Sequence, residues 1–319
     1  MRIAVLDDHG DAFRNTRAAQ RLAGHDLAVQ RGPGVDLAAL RDVEAIVLTQ
    51  QRTPLTRAMI DAMPRLRHVS QTGRYVAHLD LEACAERGIV VSAGAPTGAS
   101  SATAELTWAL VLAAMRHVPE EAARLRSGGW QRTVGTALMG RTLGVYGFGR
   151  IGAQVAGYGR AFGMRVVAWG REGSLARARA AGFEAAASRE AFFAEPDVLS
   201  LHVALTKETR GLVTAADLAR MKPTALLVNT ARAALIEEGA LVAALRAGRP
   251  GFAAVDVYEE EPVLDGRHPL LALPNALCTP HLGYAERDAY EALYEPVVEQ
   301  LLAFAQGRPI RVVTREKQP

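Results

Sequence analysis

Cysteine is scarce. Cys84 and Cys278 are the two in 319 residues, and neither belongs to a Cys-x-x-Cys or Cys/His ligand spacing. This excludes a disulfide scaffold, gives no basis for a zinc site or any other metal, and fits a reducing compartment. Both thiols are expected to be buried filler. Long apolar runs are missing too, since a membrane helix needs about 20 such residues. The richest stretch, Leu106–Met115, is short and follows Ser100, Ser101, Thr103 and Glu105, so it reads as a buried helix of a soluble domain. The opening Met1-Arg2-Ile3-Ala4-Val5-Leu6-Asp7 runs straight into a strand pattern, without the apolar core and small-residue cleavage site of a secretory signal. A cytoplasmic protein with no membrane partner is expected. Nor is charge of one sign concentrated: 37 basic residues against 34 acidic leave a net +3, with no like-charge block of the kind that forms a nucleic-acid-binding arm.

What is present is ordinary globular material, 49% hydrophobic and 22% charged, and long enough for two domains. Short apolar strands (Ile3–Leu6, Leu27–Gln30, Ala45–Leu48, His68–Ser70, Ile89–Val91) alternate with helical patterns such as Ala12–Leu22 and Leu55–Met63. That βα rhythm predicts a parallel sheet. It breaks at the Gly/Ala/Pro/Ser-rich passage Ala93–Ser100, a crossing between domains, and resumes after Thr142. The later strands are Leu143–Tyr146, Val166–Trp169, Val198–Leu201, Ala225–Asn229, Ala253–Val257 and Ala276–Cys278, about six in a doubly wound sheet. A long helix over roughly Ala285–Ala305 and the strand-like Ile310–Val313 could carry the chain back to the first domain. The expected organisation is α/β: residues 98–286 form a dinucleotide-binding Rossmann domain inserted into a substrate domain made of 1–97 and 287–319.

The stretch Gly147-Phe148-Gly149-Arg150-Ile151-Gly152 directly follows the strand pattern Thr142–Tyr146 and precedes the helical Gln154–Phe162. Strand, glycine turn and helix together make a cradle for a dinucleotide pyrophosphate. The first glycine allows the tight turn, the second lets backbone approach the phosphates, and the third packs the helix on the strand. The helix N-terminus favours an anion, and Arg150 could add charge. The nucleotide-selecting position, about 20 residues on, reads Ala168-Trp169-Gly170-Arg171-Glu172. An arginine and no acid at the strand end slightly favour NADP over NAD, because the guanidinium can grip a 2′-phosphate. The alternative is that Arg171 is solvated and Glu172 takes the ribose.

Three polar clusters stand at strand ends: Asn229-Thr230-Ala231-Arg232, Asp256–Pro262 and Thr279-Pro280-His281-Leu282-Gly283. Ligands of open α/β sheets bind at such ends. Hydride transfer between a nicotinamide and a 2-hydroxy acid needs a proton acceptor, a cation for the carboxylate, and a group that tunes the acceptor. Histidine, arginine and a carboxylate supply these.

In order and local sequence the chain resembles the D-isomer-specific 2-hydroxyacid dehydrogenases, the family that includes phosphoglycerate dehydrogenase and glyoxylate/hydroxypyruvate reductase. The matching segments are Gly147–Gly152, Asp197–His202 with Lys207-Glu208-Thr209-Arg210, Met221-Lys222-Pro223, Asn229–Arg232, Asp256-Val257-Tyr258 with Glu261-Pro262, and Thr279-Pro280-His281. The resemblance implies a flavodoxin-like and a Rossmann domain joined by crossing helices, and a homodimer formed through the nucleotide-binding domain. It makes His281 the general acid/base, Glu261 its carboxylate partner and Arg232 the clamp for substrate carboxylate and carbonyl. Glu259 and Glu260 are then solvent-facing bystanders. It also implies that Asp256 lies by the nicotinamide carboxamide, that Thr230 and Ala231 line the NAD(P), and that the loop of Gly73 and Arg74 binds the carboxylate of a small 2-keto or 2-hydroxy acid.

Departures from the pattern fall in the substrate region. Ala233 follows Arg232 where glycine is usual, Thr72–Ala77 lacks a second glycine and an aspartate, and Ala204 replaces a common proline. Tyr75 and Arg74 could reshape the pocket, and Arg52, in the loop Gln51-Arg52-Thr53, with Arg74 hints at an acidic or phosphorylated substrate; the alternative is that both are surface arginines of an arginine-rich chain. The rival from another class is a non-catalytic, dinucleotide-responsive regulator of the same fold. Among enzymes, formate oxidation is disfavoured by Glu261, since that branch pairs its histidine with glutamine, whereas oxidation of another small anion such as phosphite stays open.

Overall fold

The computed structural model describes residues 1–32, 34–49, 52–94 and 101–313. Gln51 and the 95–100 part of the expected crossing lie outside the described residues. The chain divides into two compact units, Met1–Ser100 with Glu286–Pro319, and Ser101–Ala285.

Unit 1 is a five-stranded sheet, all parallel, built from β1 (Arg2–Leu6), β2 (Asp26–Val29), β3 (Ala45–Leu48), β4 (His68–Gln71) and β5 (Val90–Ala93) in the order β2-β1-β3-β4-β5. This is the flavodoxin-like winding. Its helices are α1 (Arg17–Gln20), α2 (Arg57–Ala62) and α3 (Leu81–Glu86), and the unit is completed much later in the chain by α11 (Arg287–Ala305). Successive strand residues point to opposite faces, so the two faces have separate cores. Ile3, Val5, Ala45 and Val47 pack with Phe13, Leu22 and the α11 residues Tyr294, Val297, Val298 and Leu301. Ala4, Leu6, Ile46 and Leu48 pack on the other side with Leu55, Ile60 and Met63. The helix expected over Ala12–Leu22 is split: a short 3-10 turn covers Phe13–Asn15, and Thr16 then starts α1 anew by capping the N–H of Ala19. Val312 makes an antiparallel bridge to Ser92, so the strand-like tail pattern yields a single bridge.

Unit 2 opens with α4 (Ala102–Met115) and α5 (Val118–Arg126). It continues with β6 (Thr142–Tyr146), α6 (Arg150–Ala161), β7 (Arg165–Trp169), α7 (Glu172–Ala180), β8 (Glu184–Ala185), α8 (Arg189–Ala194) and β9 (Val198–Leu201). It closes with α9 (Ala215–Arg220), β10 (Leu226–Asn229), α10 (Ala240–Arg246), β11 (Phe252–Val255) and β12 (Ala276–Cys278). The seven strands are parallel in the order β12-β11-β10-β9-β6-β7-β8. This is the Rossmann winding with one strand added at the far edge. The sequence pattern yields six strands because β8 is only two residues long and has no apolar run to reveal it. Leu143 and Val145 pack under Trp108 and Val155, while Tyr146, Leu199 and Leu201 pack under Phe192 and Phe193.

Two of the motif residues explain themselves as fasteners. Asp197, just before β9, accepts from Thr142 N and from Lys222 Nζ, both at 2.9 Å, tying the starts of neighbouring strands together. Burial opposes ionisation of Asp197, but these bonds and Arg141 hold its carboxyl below the usual range. Among the described residues, no helix is long and apolar enough to cross a membrane and no His/Cys/Asp/Glu group could hold a metal. Cys84 is buried; Cys278, at the edge strand, is only half-buried, so the expectation of two buried thiols fails there.

Candidate active site

The loop between β6 and α6 shows what each glycine is for. Gly147 has φ +93°, and a Cβ there would lie 2.6 Å from the carbonyl oxygen of His202. A Cβ on Gly152 would lie 2.1 Å from the carbonyl oxygen of Gly147, so the helix start is pressed onto the turn. Gly149, between them, faces open space: nothing lies within 4 Å of a Cβ built on it. It is also the N-cap of α6 and offers no side-chain cap, so the first N–H groups of the helix are left for another acceptor. A Cβ at 149 would occupy the space a pyrophosphate needs, and the residues present fit that group. Arg150 is exposed and Ile151 half-buried at the start of the helix. Two α7 side chains that sequence reasoning missed fix the loop from behind. Ser174 Oγ accepts from Phe148 N at 2.6 Å, and Arg177 Nε donates to Phe148 O at 3.0 Å. Gly170 is pinned against Ser174, where a Cβ would come within 3.2 Å. Arg171 is exposed beside it, whereas Glu172 is paired with Arg179 at 2.7 Å along the helix.

At the end of β10, Asn229 folds the next three residues back on themselves. Its Oδ1 accepts from Ala231 N and its Nδ2 donates to Arg232 O, each at 3.0 Å. The first of these is the local side-chain turn that asparagine forms two residues on, which is the sequence signal for its role. Arg232 stands exposed on this turn, its guanidinium donating to Ala231 O at 2.6 Å.

Beyond β11, the segment 256–262 and the segment 279–283 after β12 come together. Glu261 Oε1 accepts from Tyr258 N at 2.8 Å, and Oε2 lies 2.5 Å from His281 Nδ1. Burial pushes the Glu261 carboxyl up, but the His281 bond, the Tyr258 amide and the charges of His281 and Arg232 outweigh it and hold the group below the usual range. Asp256 is fully buried and organises the histidine loop. Its Oδ1 accepts from Thr279 Oγ1 at 2.6 Å and Leu282 N at 2.7 Å, and Oδ2 accepts from Gly283 N at 2.8 Å. Burial is the stronger influence here and raises its pKa, against those bonds and the charge of His281. The loop needs holding, because His281 has φ +54°, a left-handed conformation uncommon for a residue with a Cβ. Its Nε2 has no hydrogen-bond partner among the described residues.

Glu259 is exposed, as expected, but it is not without a partner. Its carboxylate accepts from His268 Nε2 at 2.9 Å, while His268 Nδ1 accepts from Leu270 N at 3.3 Å. Gly73 and Arg74 belong to unit 1, at the end of β4; Gly73 has φ +81°, and Arg74 and Tyr75 are exposed. Unit 2 thus gathers Arg232, Glu261 and His281 at the same strand ends that carry the glycine loop.

A parallel α/β sheet with such a loop defines a dinucleotide-binding protein. Residues 108–283 match the family described as D-isomer specific 2-hydroxyacid dehydrogenase, NAD binding domain. The chain is 42% identical over 268 residues to a glyoxylate reductase of Aeropyrum pernix, covering 81% of this chain and 79% of that protein. It is 38% identical to a D-3-phosphoglycerate dehydrogenase of Methanocaldococcus jannaschii, covering 85% of this chain but 51% of that longer protein. A solved phosphoglycerate oxidoreductase of Vibrio cholerae O395 superposes with TM-score 0.88 at 44% identity, covering 96% of this chain and 99% of the other. The chain belongs to the D-isomer-specific 2-hydroxyacid dehydrogenase family.

Proposed function

We propose that this protein transfers hydride between a nicotinamide dinucleotide and C2 of a small D-2-hydroxy acid or the corresponding 2-keto acid. The observation that carries the reading is the His281–Glu261 pair, with Nε2 of the imidazole unengaged, at the same sheet end as Arg232. The bound nicotinamide would supply or accept the hydride. Arg232 holds the substrate carboxylate through paired hydrogen bonds and polarises the carbonyl. His281 Nε2 gives a proton to the alkoxide oxygen in reduction and takes it back in oxidation. Glu261, kept ionised, stabilises the imidazolium and fixes the ring. Asp256 holds the histidine loop, and Oδ2, with a single loop bond, keeps acceptor capacity toward the nicotinamide carboxamide. The backbone of Gly73 and Arg74 is proposed to bind carboxylate, and Thr230, Ala231 and Gly170 to line the dinucleotide.

NADP is slightly preferred in this reading, because no acid ends β7 and Arg171 is exposed there. The protein is proposed to be cytoplasmic and a homodimer through unit 2, where Leu125, Trp130, Val134 and Met139 are exposed within one short stretch. The test is absorbance at about 340 nm, where the reduced nicotinamide absorbs, with NADPH and NADH separately against glyoxylate, hydroxypyruvate, pyruvate, 2-oxoglutarate and phosphohydroxypyruvate. Oxidation of either cofactor by one keto acid supports the reading, and Arg171→Ala should then lower any NADPH preference several-fold. Silence across the panel with both cofactors bound would shift the weight to an unusual substrate or to the regulator.

A further inference from the structure

Helix α4 contributes no residue to the proposed chemistry, yet two of its threonines, one turn apart, reach both loops that do. Thr103 Oγ1 donates to the carbonyl of Gly283 at 2.7 Å, in the histidine loop. Thr107 Oγ1 donates to the carbonyl of Thr103 at 2.8 Å and lies 2.8 Å from Thr230 Oγ1, in the arginine turn. A hydroxyl has one proton to give. Thr107 has spent its proton on Thr103, so Thr230 must be the donor to Thr107. The result is a directed chain, from Thr230 hydroxyl to Thr107 hydroxyl to the Thr103 carbonyl, with the Thr103 hydroxyl continuing to Gly283. Thr107 is completely buried and Thr230 nearly so, so water does not replace these bonds cheaply.

The fit at the far end is close. A Cβ on Gly283 would lie 3.3 Å from Asp256 Oδ2 and 3.5 Å from Thr103 Cγ2, so this residue is squeezed between the carboxylate and the helix. The helix itself is anchored, because Trp108 Nε1 donates to Val155 O of α6 at 3.1 Å. That bond ties α4 to the helix that begins at the glycine loop.

We infer that Thr103 and Thr107 are positioning residues, and that α4 fixes the spacing between the Arg232 turn and the His281 loop through this hydroxyl chain. The inference rests on the proposed roles of Arg232 and His281 for its kinetic consequences, but the clamp itself can be read without turnover. Three amides report on it directly: Ala231 N–H, bonded to Asn229, and Leu282 and Gly283 N–H, bonded to Asp256.

The experiment is amide hydrogen exchange on the full chain for wild type and for Thr103→Val, Thr107→Val, Thr103→Ser and Thr107→Ser, with steady-state kinetics alongside. Thr107→Val is expected to lower protection at Ala231 tenfold or more, and Thr103→Val to do the same at Leu282 and Gly283, while amides of the central strands keep theirs. The serine variants, which retain the hydroxyl, should restore protection. In turnover, Thr107→Val should mainly raise the keto-acid KM and Thr103→Val mainly lower kcat. The double valine variant should lose less than the product of the two, since one broken link already frees the spacing. Should Thr107→Val not accumulate folded, Thr230→Val removes the same bond from the loop side and is held to the same result. Unchanged protection at the three amides, or failure of serine to restore it, overturns the clamp. Lost protection in a protein that turns over no keto acid leaves the clamp standing and removes the dehydrogenase reading instead.

Discussion

Between residues 259 and 281, at one end of the unit 2 sheet, stand two histidine–glutamate pairs, His281 with Glu261 and His268 with Glu259. Composition does not distinguish them, and both glutamates come from the run Glu259-Glu260-Glu261. Their surroundings do. Both ring nitrogens of His268 are engaged, one toward Glu259 and the other accepting from Leu270 N at the start of a short 3-10 turn, Pro269–Ala272. His281 has one nitrogen held by its glutamate and the other unengaged among the described residues, on a backbone in the left-handed region that Asp256 keeps in place. A histidine with both nitrogens occupied is a structural rivet, whereas one with an open nitrogen can exchange a proton. In the proposed reading, competence lies in the open nitrogen and the held loop rather than in the presence of a carboxylate.

The contrast is broken most severely at His281. Asparagine tolerates left-handed backbone, so His281→Asn removes the imidazole while sparing the turn. Turnover should fall about a thousandfold, within the range for loss of a general acid/base, with dinucleotide affinity little changed in a fluorescence titration. The same replacement at His268 should leave kcat within a few-fold of wild type. Comparable losses at the two positions would erase the distinction. Next in size, Arg232→Ala should raise the keto-acid KM strongly and lower kcat, together about a hundredfold in kcat/KM, and lysine should recover only part, because it cannot make the paired bonds. An unchanged KM would remove Arg232 from the clamp.

A third histidine sharpens the comparison from the opposite extreme. His68 in β4 is fully buried, stacked on Phe304 at 4.4 Å and bonded to Ser92 Oγ, with no carboxylate paired to it among the described residues. Burial depresses its pKa from 6.5 to about 4. Unfolding restores the higher value, so below about 6.5 the unfolded chain takes up a proton that the folded one refuses, and stability falls until about pH 4. Between about pH 7 and pH 5 this one group should cost about 2 kcal/mol. Urea melts at those two pH values should show the drop shrinking by that amount in His68→Leu; an identical pH dependence would contradict the assignment. The smallest expected effect is on stability at His268: losing its cap on Leu270 and its bond to Glu259 should cost about 1 kcal/mol, seen as a modest fall in Tm.

The glycine loop was legible because Gly147 and Gly152 meet close backbone contacts and Gly149 leaves the helix start open, a pattern that recurs where a helix starts tightly against a strand. The strand rhythm was legible because fully buried parallel strands read as unbroken apolar runs, as in Ala45–Leu48. What escaped was short, or depended on partners far away in the chain. β8 is held by two register pairs with β7 and has no run to announce it. The break at Thr16 is a capping choice that an apolar periodicity overrides on paper. The sorting of the glutamate run was supplied by the family pattern and not by the residues, since only the tertiary fold decides which carboxylate meets which ring. Thr107 had a faint signal, a hydroxyl inside the apolar stretch that became α4, but its acceptor and donor lie 4 and 123 residues away.

The discontinuity of unit 1 sets an order of events during synthesis. Residues 101–285 form one unit that is continuous in sequence, whereas the face carrying Ile3, Val5 and Phe13 is covered by Tyr294, Val297, Val298 and Leu301. Strand β1 therefore leaves the ribosome well before α11, the helix that covers its face, and unit 2 is made in between. Domains normally complete in the order in which they are made. Here unit 1 is interrupted, and until α11 emerges the face of Ile3 and Val5 has Phe13 and Leu22 against it but lacks Tyr294, Val297, Val298 and Leu301.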